Sequence, residues 1–133
     1  MESIYRILVV GGALLAIVFW SMPFIDYMWY SNEELQILDL GGFGSKLPAS
    51  QIYYWGTLIL WLAISVGLFF YNKIARTAFV VSLIYFLVVG LFDGILVLSP
   101  IEAALSQIIT LSDGALLVIM YLTSINAKFN ENI

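Results

Sequence analysis

The sequence predicts an all-α membrane protein: a four-transmembrane-helix bundle with a short interfacial helix in the outer loop between the first two spans. Of the 133 residues, 62% are hydrophobic and only 11% are charged, whereas a soluble domain is about half apolar and about a quarter charged. The apolar residues form four runs, each close to the roughly 20 residues that a helix needs to cross a bilayer. The length suits one domain, residues 1–133.

Local signals set the limits of the predicted spans. The first span has no charge after Arg6 and is expected to stop at Pro23. The fourth begins with Ser99-Pro100-Ile101-Glu102, which has the form of a capping box with proline at the first helical position. The third and fourth spans should therefore form a tight hairpin with almost no loop. The predicted spans are residues 4–22, 51–71, 77–98 and 100–124, and the outer loop is 23–50.

A second capping-box pattern predicts a short helix in the outer loop. Ser31 and Glu34 have the required spacing and precede an apolar stretch that Gly41-Gly42 should end. We expect a helix of about two turns that lies on the membrane surface or against the bundle.

The basic residues predict the orientation of the chain. Four of the five basic residues fall near the termini or between the second and third spans: Arg6, Lys73, Arg76 and Lys128. The outer loop has a single basic residue, Lys46. Because cytoplasmic loops are enriched in lysine and arginine, both termini should be cytoplasmic. We expect a multi-pass protein of the plasma membrane, which in a bacterium is the inner membrane.

Cysteine and histidine are both absent from the sequence. Their absence excludes disulfides, thiol redox chemistry, histidine-ligated haem and the usual zinc sites. No nucleophile–base pair or metal-ligand set can be assembled from the remaining residues, so we expect no catalytic residue, no metal and no cofactor. The five basic residues form no stripe that would bind nucleic acid.

Two aspartates lie within the predicted spans. A carboxylate at the bilayer centre costs about 2.5–3.5 kcal/mol on insertion scales and usually faces a bundle interior or a cavity. No lysine or arginine shares a span with Asp93 or Asp113, so burial should favour the neutral acid. Asp113 lies about 19 Å along the helix from Pro100, near the midplane.

Further polar residues extend from Asp113 toward the outer end of the fourth span. Glu102, Ser106, Thr110 and Asp113 are spaced four, four and three residues apart, so they share one helix face, with Gln107 to the side. This row is either a half-channel or partner-contacting surface, or a buried face whose hydroxyls bond their own helix carbonyls. The predicted polar membrane seam is Asp93, Glu102, Ser106, Gln107, Thr110 and Asp113.

The outer loop is a second candidate site, because it is aromatic, acidic and rich in glycine near its middle. It could be a docking loop or a plain linker, and the sequence leaves both open. The candidate docking residues are Trp29, Tyr30, Glu33, Glu34 and Phe43.

These features favour a non-catalytic membrane protein: an accessory subunit, an assembly factor or an immunity-type partner of a larger membrane system. The alternative is a small oligomeric proton-coupled transporter or channel that uses Asp113 and Asp93. The first class is favoured because four helices rarely enclose a solute path and the polar row ends near mid-membrane. The expected partners are the lipid bilayer and either another membrane protein or further copies of the chain, and not nucleic acid.

Overall fold

The computed structural model describes residues 1–38, 51–92 and 97–131, and the regular structure in these ranges is entirely helical. Four helices in them are long and apolar enough to cross a membrane: α1, α3, α4 and α5. This confirms the all-α class and the number of predicted spans. The helices are α1 (Glu2–Trp29), α2 (Asn32–Leu38), α3 (Gln51–Phe69), α4 (Lys73–Gly90), α5 (Pro100–Leu122) and α6 (Ile125–Glu131).

The predicted stop at Pro23 is wrong, because α1 continues through Pro23 to Trp29. Proline removes one backbone hydrogen bond from a helix, but membrane helices tolerate this loss where neighbouring groups support the backbone. Pro23 removes the intrahelical donor to the Phe19 carbonyl, and α3 hydrogen-bonds to the next residue, Trp20. The Tyr54 hydroxyl donates to the Trp20 carbonyl, and the Trp20 indole N–H donates to the Tyr54 carbonyl at 3.1 Å.

The helix of the third span begins four residues earlier than predicted. The Asn72 side chain is its N-cap and accepts hydrogen bonds from the backbone N–H groups of Ile74 at 2.8 Å and Ala75 at 3.3 Å. An asparagine N-cap satisfies amides that have no partner within the helix, so Lys73 becomes the first helical residue.

The same helix ends at Gly90, well before the predicted limit at residue 98. Glycine is a poor helix former, and the Leu91 N–H bonds the Val88 carbonyl at 3.1 Å in the tightened form common at helix ends. The described residues between Gly90 and Pro100 are not helical. The prediction of a tight hairpin with almost no loop is therefore wrong.

Both capping boxes form as predicted. At the start of α5, Ser99 Oγ accepts from the Glu102 N–H at 3.3 Å, and the Glu102 carboxylate accepts from the Ser99 N–H at 2.9 Å. At the start of α2, the Ser31 N–H donates to the Glu34 carboxylate at 2.8 Å. The predicted stop at Gly41-Gly42 lies outside the described residues, and the interfacial position of α2 stays a prediction.

Helix packing places α1 at the centre of the described structure. It contacts α3 on one side and α5 on the other, while α4 packs on α3 and α6 packs on α5. Over the described residues, α4 and α5 do not pack closely on each other. Contacts thus run in the order α4, α3, α1, α5, and a closed four-helix bundle stays a prediction.

Candidate functional site

A cavity of about 480 Å³ lies between α4 and α5, with α1 and α3 behind it. Trp20 of α1 and Trp61 of α3 line its back, Phe86 and Leu87 belong to its α4 wall, and α5 forms the opposite wall. We call this cavity the α4–α5 cleft. The α5 residues that line it are Ser106, Ile109, Thr110, Asp113, Gly114 and Leu117.

Among the described residues that line this cleft, Asp113 is the one with a titratable side chain. Its exposure is only 9%, and within the described parts of the chain no hydrogen bond or ion pair reaches its carboxyl. An isolated ionised carboxylate is very costly in an apolar environment. Asp113 is therefore either neutral or compensated by a group from outside the described residues.

Ser106 and Thr110 direct their hydroxyl hydrogens into their own helix. Ser106 Oγ donates to the Ala103 carbonyl at 2.9 Å, and Thr110 Oγ1 donates to the Ser106 carbonyl at 2.8 Å. This is the back-bonding that the sequence offered as one alternative. A hydroxyl oxygen has two acceptor lone pairs, so both side chains can still accept hydrogen bonds from an occupant.

Glu102 and Gln107 lie outside the cleft. Glu102 lines an adjoining cavity of about 180 Å³ that shares Phe19, Trp20 and Phe86 with the cleft. Gln107 is exposed and lines neither cavity. The structure thus brings Ser106, Thr110 and Asp113 of the predicted seam together, with Glu102 next to them. Asp93 lies outside the described residues.

Neither the cleft nor the adjoining cavity is lined by the described candidate docking residues, Trp29, Tyr30, Glu33 and Glu34. Trp29, Glu33 and Glu34 are exposed and Tyr30 is half-buried, while Phe43 lies outside the described residues. The pKa of the Glu34 carboxyl is lowered, mainly because the Ser31 backbone N–H donates a hydrogen bond to it and secondly because the Ser31 hydroxyl does so. Glu34 therefore has a capping role, and docking by this segment stays a prediction.

Sequence reasoning missed the aromatic walls of the cleft. None of Trp20, Trp61 and Phe86 is among the predicted site residues, yet all three line the cleft. The available signal was helical spacing: Ala16 and Trp20 are four residues apart and share one face of α1.

A second cluster that the sequence did not predict lies at the opposite end of α5 from Ser99. Lys128 Nζ lies 2.6 Å from the Glu2 carboxylate, and the Tyr71 hydroxyl donates to the same group at 3.1 Å. Tyr5 stacks on Tyr71 with ring centroids 5.3 Å apart, and Phe129 packs edge-on against both rings. We call these five residues the terminal cluster. Its hydrogen bond from Lys128 to Glu2 raises the pKa of Lys128.

Arg76 joins this end of the molecule to α6. Its guanidinium donates to Asn126 Oδ1 at 2.6 Å and lies over the rings of Tyr121 and Phe129, at 4.9 and 5.0 Å from their centroids. Such cation–π contacts stabilise a buried cation. Arg76 and Lys128 are thus both engaged within the protein, which gives them a structural role.

Comparison with known proteins gives no relative: no family model, curated protein or solved structure matches the chain.

Proposed function

We propose that the protein is a non-catalytic membrane subunit that binds a transmembrane helix of a partner protein in the α4–α5 cleft. It would act as an accessory subunit, assembly factor or immunity-type partner of a larger membrane system. The observation that carries this proposal is Asp113, which is nine-tenths buried, lines an apolar cleft and has no partner among the described residues. Polar residues inside a membrane commonly face another helix or a cavity.

The shape of the cleft supports a helix as its occupant. The two helices that flank it, α4 and α5, lie at the ends of the packing order and leave the cleft open between them. Gly114 lines the α5 wall, and a methyl group placed on it would meet no atom within 4 Å. Small residues at such positions allow helix backbones to approach closely in membranes.

We further propose that both termini are cytoplasmic and that α2 lies on the outer membrane surface. Arg6, Arg76 and Lys128 all contact residues of the terminal cluster, so these basic residues share one end of the molecule. A cytoplasmic position for that end agrees with the distribution of lysine and arginine in membrane proteins. In a bacterium this orientation corresponds to the inner membrane.

Site-specific photocrosslinking in native membranes tests the docking proposal. A photoreactive amino acid replaces Leu87, which lines the cleft and is 73% exposed. The matched control position is Ile59 of α3, which is 66% exposed and does not line the cleft. We expect a discrete adduct from position 87 only, lost when Asp113→Leu is added.

Two results would contradict helix docking. Equal adducts from positions 87 and 59 would indicate random collision in the bilayer. Adducts that contain only a second copy of the chain would identify a homo-oligomer in place of a separate partner.

A proton-coupled transporter or channel is the second candidate, and one observation favours it. The adjoining cavity carries Glu102 and shares three aromatic wall residues with the cleft that holds Asp113, so acidic groups follow one another from the start of α5 toward its middle. Purified protein in liposomes would then dissipate a pH gradient, and Asp113→Asn would abolish this activity. A helix-docking subunit would leave the gradient intact.

A further inference from the structure

We infer that the partner helix carries an arginine side chain at the depth of Asp113. This inference rests on the proposed docking function and specifies the chemistry of the partner. Its starting point is the position of a carboxyl with no described partner inside an aromatic cleft that lies between membrane-spanning helices.

None of the basic residues that the structure describes bonds to Asp113. The chain's five basic residues are Arg6, Lys46, Lys73, Arg76 and Lys128. Arg6 and Lys128 bond Glu2, and Arg76 bonds Asn126; all three lie at the end of the molecule away from Ser99.

Lys73 opens α4 at that same end, and Lys46 lies in the predicted outer loop. Because each of the five residues falls at the end of a predicted span or between spans, a second copy cannot place a cation beside Asp113 either. A neutral Asp113 would need no counter-charge, whereas an ionised Asp113 would need one, and we place that charge on a different protein.

The α5 wall of the cleft presents hydrogen-bond acceptors. Ser106 and Thr110 use their hydrogens on helix carbonyls, which leaves acceptor lone pairs toward an occupant. Asp113 lies three residues after Thr110 and seven after Ser106, so all three share one helix face. A guanidinium has five N–H donors and no acceptor, and it pairs with a carboxylate through two parallel hydrogen bonds.

The aromatic back of the cleft favours arginine over lysine. Trp20, Trp61 and Phe86 line the same cavity as Asp113. The planar guanidinium stacks on aromatic faces and is more weakly hydrated than an ammonium group. Its transfer from water into the cleft is therefore less costly.

The test uses three synthetic transmembrane peptides that differ at one central residue. Each has a leucine–alanine host sequence of about 20 residues, with arginine, its neutral isostere citrulline, or leucine at the centre. Binding of the labelled peptides to the purified full chain is measured in mild detergent. The variants are Asp113→Asn and, as a matched control, Asp26→Asn, which alters a buried aspartate that does not line the cleft.

We expect the arginine peptide to bind about tenfold more tightly than the citrulline peptide, because a bond between two charged groups is stronger than one to a neutral group. Asp113→Asn should remove this difference and Asp26→Asn should keep it. Thermal unfolding of each variant verifies that it remains folded.

The outcomes separate this inference from the docking function. If citrulline and arginine peptides bind equally, or if the arginine preference survives Asp113→Asn, the partner does not need a cation and the inference is wrong. If the leucine peptide binds as well as the others, helix docking stands without a charge pair. If no peptide binds, the inference is overturned, while the crosslinking result at position 87 still decides the docking function independently.

Discussion

Gly67 lies where α3 and α4 approach each other most tightly among the described glycines. A methyl group placed on Gly67 would lie 2.5 Å from Ala75 Cβ, and a short, rigid alanine side chain cannot move aside. We expect Gly67→Ala to lower the free energy of unfolding by about 1–3 kcal/mol through overpacking. Titration of the purified protein with a denaturing detergent, followed by circular dichroism, measures this change.

Gly56 provides the control within the same helix, since a methyl group there meets no atom within 4 Å. Gly56→Ala should be neutral or stabilising by up to about 1 kcal/mol, because alanine is the better helix former. Equal destabilisation by both substitutions would show that the close approach at Gly67 does not limit packing.

At the residue scale, the sequence predicted burial that follows from the chemistry of a single side chain. It did not predict contacts that depend on how the helices pack. The burial of Asp113 follows from the cost of a carboxylate in hydrocarbon, and the structure places it nine-tenths buried. The partners of Trp61 and Phe129 depend on which helix faces meet. Tyr5 and Phe129 are 124 residues apart in sequence, so no local pattern could indicate their contact.

At the scale of single elements, α2 depends on one ionisable cap. The Ser31 N–H and hydroxyl each donate to the Glu34 carboxylate at 2.8 Å, and together they lower the pKa of Glu34. A carboxyl whose pKa is lower in the folded than in the unfolded state stabilises the fold above its unfolded pKa. That stabilisation is lost as the pH falls through the folded pKa.

We therefore expect α2 to fray below the usual carboxyl range while remaining formed at neutral pH. Amide hydrogen exchange at Leu35 and Ile37 in detergent micelles should accelerate at acid pH relative to α3 as the internal reference. In Glu34→Gln, the protection of α2 relative to α3 should be similar at neutral and acid pH, since the glutamine amide does not titrate. Unchanged protection of α2 in acid would rule out this role for Glu34.

The start of a helix could be predicted only where its capping residues form a recognisable local sequence pattern. Ser99 and Ser31 begin helices as predicted because a capping box involves residues three apart in the chain. Asn72 acts as a cap five residues before the predicted start of the third span, and apolar periodicity alone did not locate it. The sequence signal also did not show that α1 continues through Pro23, beside the hydrogen bonds between Trp20 and Tyr54 of separate helices.

At the scale of the whole molecule, the terminal cluster brings the start of α1, the α3–α4 turn and α6 together. Glu2 bonds Lys128 at 2.6 Å and Tyr71 at 3.1 Å, and the Tyr5 hydroxyl donates to the Leu68 carbonyl at 2.8 Å. The first span, the middle turn and the C-terminal helix thus meet at one end, as an even number of crossings requires. The charge pattern predicts that this end is cytoplasmic, which stays a prediction, and it did not indicate the residues that hold the cluster together.

The final prediction concerns which side of the membrane this end faces. The native chain has no cysteine, so a maleimide can label only the cysteine that is introduced. Glu33 of α2 and Asn130 of α6 are both exposed and belong to opposite ends of the proposed topology. We expect an impermeant maleimide to label Glu33→Cys in intact cells and to label Asn130→Cys only after the membrane is permeabilised.

The physical reason is the retention of lysine and arginine on the cytoplasmic side during insertion. Arg6, Lys73, Arg76 and Lys128 all favour the same orientation. Labelling of both variants after permeabilisation serves as the control for reactivity. If Asn130→Cys reacts in intact cells while Glu33→Cys is protected, the chain is inserted the other way round. The lining of the α4–α5 cleft is then unchanged, but the start of α5 faces the cytoplasm, and any partner helix must be sought in the opposite orientation.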